Sequence, residues 1–321
     1  DCRRPDEFDF TSSIDEELGR RDFTINAMAY NEKSGLIDLF GGCDDLNAGI
    51  IRCVGDPDLR FREDALRMLS AVRFASQLGF DVDKSAIDSI RKNRDLVQRI
   101  SAERVGSELN KMLMGRCPSK MSLLFSTGII TDIIPEAEEA YREPQLFADA
   151  IRVIEGLRGA SLPLIIAVFL YNLKAARSAE QVRSILGRLK YDTETIKRVS
   201  KLIEFYGYPI IDDKREIRRA LNRMGGGTFK DLLKIDIAGS GSTGRKDLLS
   251  DAEYKMNQII ENNECYSLKD LAVDGRDLMR LGIEGKEVGN LLKILLDLVI
   301  DEPELNTKEE LIRKAKEHLE K

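Results

Sequence analysis

Apolar positions alternate in two short runs near the start of the chain and recur at helical spacing through nearly all that follows. Phe23-Thr24-Ile25-Asn26-Ala27-Met28-Ala29-Tyr30 reads as a strand. Asn31 to Gly35 reads as a turn, and Leu36-Ile37-Asp38-Leu39-Phe40 as a second strand that Gly41-Gly42 ends. Ahead of them, Asp6 to Arg21 is polar and helix-prone once a hydroxyl of Thr11-Ser12-Ser13 caps it. From there on the pattern predicts helices almost exclusively. One runs from about Leu59 to Leu78 and stops at Gly79. Another covers about Lys84 to Asn93. Ser101 caps a third, from Ala102 to about Met114, stopped by Gly115. Residues 118–210 read as amphipathic helices broken at Pro135, Pro144, Ser161–Pro163 and Tyr191–Asp192. Gly225-Gly226-Gly227 and Gly239-Ser240-Gly241-Ser242 are the best linker candidates.

Strands first and helices after them mean an α+β fold, mostly α. A lone hairpin is not a stable sheet, so its partner strands are expected upstream of Asp1. The chain, which opens on Asp1 rather than Met, reads as a piece of a longer protein.

Composition removes several chemistries. Of 321 residues only one is histidine, His318, which excludes a histidine triad or a histidine-built metal site. The five cysteines, Cys2, Cys43, Cys53, Cys117 and Cys265, form no C-x-x-C pair; they suit a reducing, cytoplasmic setting and argue against disulfides and zinc. The longest apolar run, Leu162 to Leu173, is too short to span a bilayer and predicts a buried helix. Net charge is −6, so no global basic field exists for nucleic acid. The charge is uneven, however. Residues 1–50 carry 5 basic against 12 acidic side chains, and residues 51–116 carry 13 against 10. An RNA partner has to use local stripes.

The densest candidate chemistry lies in Arg60-Phe61-Arg62-Glu63-Asp64-Ala65-Leu66-Arg67 and on to Phe74. On one continuous helix Phe61, Ala65, Met68, Leu69 and Val72 share an apolar arc. Arg60, Asp64 and Arg67 lie opposite, within about 60° of one another. A carboxylate accepts hydrogen bonds and a guanidinium donates them. Cytosine and adenine present an amino donor beside a ring-nitrogen acceptor; guanine and uracil present a carbonyl and a ring N–H. Asp64 with Arg67 therefore fits C and A, and leaves polar groups of G and U unpaired. The plainer alternative is an i,i+3 ion pair on a solvated face. Arg20-Arg21-Asp22 is a second candidate: an arginine fork suits phosphate and a carboxylate suits ribose hydroxyls.

These stretches resemble the class II tRNA nucleotidyltransferases, the CCA-adding enzymes, and their bacterial poly(A) polymerase relatives. Four motifs stand in the family's order: Arg20-Arg21-Asp22-Phe23-Thr24-Ile25-Asn26-Ala27, then Asp38-Leu39-Phe40-Gly41-Gly42 with Asp45-Leu46 and Ile51 to Gly55, then Arg60 to Arg67 with Arg73-Phe74, then Ser101-Ala102-Glu103-Arg104 with Glu108. Val273 to Leu278, Leu281-Gly282-Ile283 and Gly285 to Gly289 resemble the family's tail.

The resemblance implies a tRNA nucleotidyltransferase that adds C, C and A to the tRNA 3′ end from CTP and ATP. In it Arg21 contacts nucleotide phosphate, Asp22 the ribose, and Asp64 and Arg67 form the protein template. Glu63 supports that pair, and Arg73 is a further nucleotide-binding arginine. Ser70 stands where the family often has another. Arg104 and Glu108 read as an i,i+4 brace within one helix. The family's metal motif is a Gly-Gly-x-x-Arg turn followed by an Asp-x-Asp pair, and nothing matches it here. Magnesium is thus expected only in the full-length enzyme, with no metal ligands in this chain and no activity from the chain alone. Asp44-Asp45 and Asp212-Asp213 read as turn or cap residues. For tRNA the clearest stripe is Arg215, Arg219 and Arg223, at i, i+4 and i+8 in a run that includes Lys214 and Arg218. The helix opened by Gly285 to Gly289 is a second place for a phosphate.

The expected organisation is a head remnant over residues 1–50, a base-recognising neck over 51–135, a body over 136–239 and a tRNA-binding tail over 240–321. A poly(A) polymerase, a relative adding only C or only A, and a non-catalytic RNA-binding protein on the same scaffold remain as alternatives.

Overall fold

A computed structural model of the chain describes residues 13–319. The contacts divide the chain after Glu204 into two compact units. Residues 6–12 of the expected first helix lie outside the described residues; its remainder is α1, Ile14–Gly19.

The predicted hairpin is present but shorter. β1, Met28–Asn31, pairs antiparallel with β2, Gly35–Asp38, with Met28 opposite Asp38. The preceding residues do not continue the strand. Phe23 makes only an isolated bridge to Cys53, and Thr24–Asn26 closes into a 3-10 turn. Side chains cause the turn. Asp22 Oδ1 accepts from the Phe23 amide at 2.8 Å and from Asn26 Nδ2 at 3.1 Å, while Thr24 Oγ1 donates to the buried Asp45 at 2.7 Å. After the hairpin, Gly41 takes φ 73° and α2, Gly42–Ala48, begins. A Cβ at Gly42 would lie 2.3 Å from the Thr24 carbonyl, so only glycine lets the helix start this close to the turn. Asp38 accepts from the amides of Gly42 (2.7 Å) and Cys43 (2.8 Å), which holds its carboxyl below the usual carboxylate range.

A second, parallel pair escaped the pattern: β3, Ile50–Ile51, with β4, Asp81–Val82. Two-residue strands carry no readable alternation. Arg52 beside them reaches Asp45 (3.1 Å) and Asp83 (2.6 Å).

The expected single helix over Leu59–Leu78 is two. α3, Pro57–Glu63, starts on Pro57 with Asp56 as cap. It stops at Asp64, whose backbone is extended (φ −144°, ψ 105°), and α4, Leu66–Leu78, follows. The Asp64 carboxylate accepts from the Leu66 amide at 3.0 Å, the local competition by which aspartate interrupts a helix. Packing settles the break, because α3 lies on α5, Lys84–Asn93, and α4 on α6, Ala102–Leu113. Met68, Leu69, Ala71 and Phe61 are fully buried.

The rest of the first unit is helical. α7, Ser122–Ser126, α8, Ile129–Ile133, and α9, Glu138–Arg142, are short. α10, Pro144–Gly156, packs on α11, Leu162–Asn172, the buried helix expected from the apolar run. α12, Ala179–Arg188, and α13, Thr193–Glu204, complete the unit.

In the second unit α14, Lys214–Met224, is capped by Asp213, which accepts from the amides of Arg215 and Glu216. Neither glycine run separates the units. Gly225, at φ 77°, turns α14 into α15, Gly226–Gly239, and Ser240–Ser242 turns that into α16, Thr243–Glu261. α17, Gly275–Met279, opens on a capping box between Asp274 and Asp277. With α18, Lys286–Asp301, and α19, Lys308–Leu319, it encloses a core around Leu278, Leu295, Val299, Leu311 and Ala315.

Candidate nucleotide-binding site

The helix break places the candidate residues. Arg67, in the first turn of α4, folds back over α3. Its Nη1 donates to Glu63 Oε2 at 2.7 Å and to the Arg60 carbonyl at 3.3 Å, and its Nη2 donates to the Arg20 carbonyl at 3.1 Å. Arg60 shares Glu63 Oε2 (2.9 Å) and donates from Nε to the Val54 carbonyl at 2.9 Å. Glu63 therefore ties Arg67 to Arg60. These contacts use three of the five guanidinium N–H groups of Arg67 and leave two. Asp64 sits at the break with Oδ1 on the Leu66 amide and Oδ2 accepting from Arg104 Nη2 at 3.2 Å. Its side chain is 41% exposed. The junction thus offers an acceptor whose present partner is a half-exposed arginine, and a donor with N–H groups to spare.

The motif around Arg21 joins this cluster by its backbone. Arg67 holds the Arg20 carbonyl, and the amide of Val54 donates to the Asp22 carbonyl at 3.2 Å. Arg21 itself is exposed and pairs with Glu17 at 3.1 Å; the Asp22 side chain serves its own turn. Cys53 lies beneath, buried, and burial pushes its thiol up to about 12, which makes it an apolar filler rather than a nucleophile.

The structure does not bring Arg73 into the cluster. Its Nε donates to Glu108 Oε2 at 2.6 Å, its Nη1 to Gln77 at 2.9 Å, and its guanidinium carbon lies 3.8 Å from the Phe74 ring centre. Glu108 is 5% exposed and also takes Lys111 and Ser70. The expected Arg104–Glu108 brace is thereby corrected. The two residues are one turn apart on α6, yet Arg104 reaches the Asp64 junction and Glu108 the α4 face. Spacing could not tell these partners apart, and Arg104 as the partner of Asp64 is the residue that reasoning from sequence missed.

Two Asp-x-Asp pairs do occur, though not behind a Gly-Gly-x-x-Arg turn. Asp56 and Asp83 cap α3 and α5; Asp81 takes Lys120. Asp58 takes Ser89, Lys92 and Asn93, and these hydrogen bonds, the one from Lys92 foremost, bring its carboxyl down to about 2. Among the described residues no three His, Cys, Asp or Glu side chains converge to hold a metal ion. The described carboxylates do not fit the family's metals.

In the second unit the arginine stripe is unevenly occupied. Arg219 pairs with Glu216 (2.9 Å) and Asp301 (2.7 Å), and Arg215 lies 3.7 Å from Glu216. Arg223 is exposed beside a cavity that Asp297 also lines. Arg218, between them in sequence, is buried, donating to the Ile300 carbonyl (2.9 Å) and to Glu264 (2.8 Å). No helix among the described residues is long and apolar enough to cross a membrane.

The chain matches family models of the poly A polymerase head domain over residues 1–52, a probable RNA and SrmB-binding site of polymerase A over 79–141, and a putative tRNA nucleotidyltransferase domain 2 over 161–315. A CCA-adding enzyme of Ligilactobacillus salivarius is 34% identical over 335 residues, covering 100% of this chain and 76% of that relative. One of Pediococcus pentosaceus is 32% identical, covering 94% and 72%. The crystal structure of the Bacillus stearothermophilus CCA-adding enzyme in complex with CTP superposes with a TM-score of 0.79 at 27% identity, over 97% of this chain and 77% of that one. Short strand pairs followed along the chain by helices are thus a nucleotidyltransferase fold. The chain belongs to the class II CCA-adding enzyme and poly(A) polymerase family.

Proposed function

We propose that this chain is the base-selecting and tRNA-holding part of a CCA-adding tRNA nucleotidyltransferase. Asp64 and Arg67 read the incoming base. The observation that supports this is the helix break, which leaves Asp64 at the junction and Arg67 in the turn that follows, each with unused hydrogen-bonding capacity. Cytosine or adenine donates its amino group to Asp64 Oδ2 in place of Arg104, and Arg67 donates to the ring nitrogen. Arg21 takes phosphate and Asp22 ribose after releasing their present local partners. Arg73 acts at one remove, through Glu108 and the α4–α6 contact. Magnesium belongs to a Gly-Gly-x-x-Arg and Asp-x-Asp segment, and the chain alone is expected not to incorporate nucleotide. Arg215, Arg219 and Arg223 meet tRNA phosphates. The head, neck, body and tail divide at residues 50, 135 and 239.

The relatives named CCA-adding enzymes favour this over a poly(A) polymerase. The test is to supply the metal-binding segment of a relative to this chain and assay nucleotide choice on a tRNA that ends before its CCA. C before A supports the reading. A-only addition moves it to a polymerase or A-adding relative.

A further inference from the structure

A cavity of about 380 Å³ opens in the first unit where α6 and α10 end. Its wall is apolar: Leu113, Ile154, Leu157 and Ile165 contribute to it and are all nearly buried. Arg116 and Arg158 line the same opening, and both are exposed. Neither guanidinium meets a carboxylate, a carbonyl or an aromatic ring among the described residues. Glu155 at the rim is the one acidic side chain lining the opening, so the lining keeps an excess of positive charge.

Two arginines without a partner among the described residues, on the lining of an otherwise mostly apolar opening, favour a particular ligand. A guanidinium fork takes phosphate oxygens two at a time, and a phosphate monoester carries close to two negative charges. The apolar wall then needs a flat, weakly polar body attached to that phosphate. The volume lies within the range of small-molecule sites and suits one nucleotide rather than a folded partner. Carboxylates are too few for a metal ion. The cavity shares no residue with the cluster around Asp64.

We infer that this cavity binds one nucleoside phosphate, its phosphate on Arg116 and Arg158 and its base against the Ile154–Ile165 wall, as a site separate from the base-reading pair. The inference goes beyond the proposed function and does not depend on it. The same chemistry is offered by a free nucleotide and by a nucleotide of bound RNA.

The 321-residue chain is irradiated with 8-azido-AMP, and labelled peptides are mapped. Label is expected in segments 113–118 and 154–165. Arg116→Gln with Arg158→Gln lowers the apparent affinity of that labelling about tenfold or more, since two charge-assisted contacts are lost. Both side chains are exposed, so the variant keeps its fold. Asp64→Ala with Arg67→Ala leaves this labelling in place. Label that tRNA displaces identifies an RNA nucleotide as the ligand, and label that tRNA leaves identifies the free nucleotide; either supports the site. No label in these segments, or labelling unchanged in the double arginine variant, overturns it.

Discussion

The Asp64 cluster and the α14 stripe are both runs of charge at helical spacing, and the fold treats them differently. Around Asp64 a helix break turns Arg60 and Arg67 inward onto the carbonyls of Val54, Arg60 and Arg20, with Glu63 between them. Along α14 the helix is unbroken, and its arginines meet whatever the neighbouring helices present. Arg218 is buried against Glu264, Arg219 is held by Asp301, and Arg223 stays outside. Spacing assigns a residue to a face; only the elements packed on that face decide whether its charge is spent or free.

Four measurements break or sharpen that contrast. The largest effect is expected at Arg218. Arg218→Ala strands Glu264 with Lys214 alone and frees the Ile300 carbonyl, which costs about 2–3 kcal/mol of stability by urea unfolding. A loss as small as that of a surface arginine would erase the distinction between buried and free members of the stripe.

Next come Asp64→Ala and Arg67→Ala, with the metal-binding segment supplied. Each is expected to lower kcat/KM for CTP and ATP by about 1–3 kcal/mol, and to lose less for GTP and UTP. Arg62→Ala, exposed in the same helix α3, is the control and changes little. Arg60→Ala would not serve as that control, because it also releases Val54 and Glu63. Equal slowing of all four nucleotides would make the cluster a brace rather than a reader.

A smaller effect tests the support under the cluster. Asp58 joins α3 to α5, and its folded carboxyl sits near 2, below the ordinary 3.8. A depressed carboxyl contributes stability above its unfolded value and loses it as pH falls toward the folded one. Unfolding midpoints recorded from pH 5 to 2 should therefore drop below about pH 4, and less so in Asp58→Asn. Parallel curves for the two proteins would remove Asp58 from the support.

The smallest change is expected from the stripe's exposed members. Replacing Arg215, Arg219 and Arg223 by Ala should weaken tRNA binding and flatten its salt slope by at most about three contacts' worth. Arg223→Ala alone should supply most of it, since Arg219 is already neutralised. An effect concentrated at Arg219 would mean that RNA displaces Asp301.

Much of the first unit was legible because local chemistry wrote it. The stop at Gly79 and the apolar run of α11 act within a few residues, as does the Asp213 cap in the second unit. The family motifs were legible for the same reason: they are contiguous. The strand over Phe23–Tyr30 was only partly right, because Asp45, twenty-one residues on, and the close approach of Gly42 reshape its first half into a turn.

The sequence by itself singled out Asp64 and Arg67 as an acceptor and a donor, through their opposite hydrogen-bonding signs and their one-turn spacing. Tertiary structure decided how they are presented. Two packing partners, α5 and α6, pull the chain into two helices at Asp64, and α6 sends Arg104 rather than Glu108 to meet it. A helical wheel holds angles within one element. Arg104 reaches Asp64 and the Arg20 carbonyl reaches Arg67 from other elements, at separations of 40 and 47 residues, where periodicity carries no information.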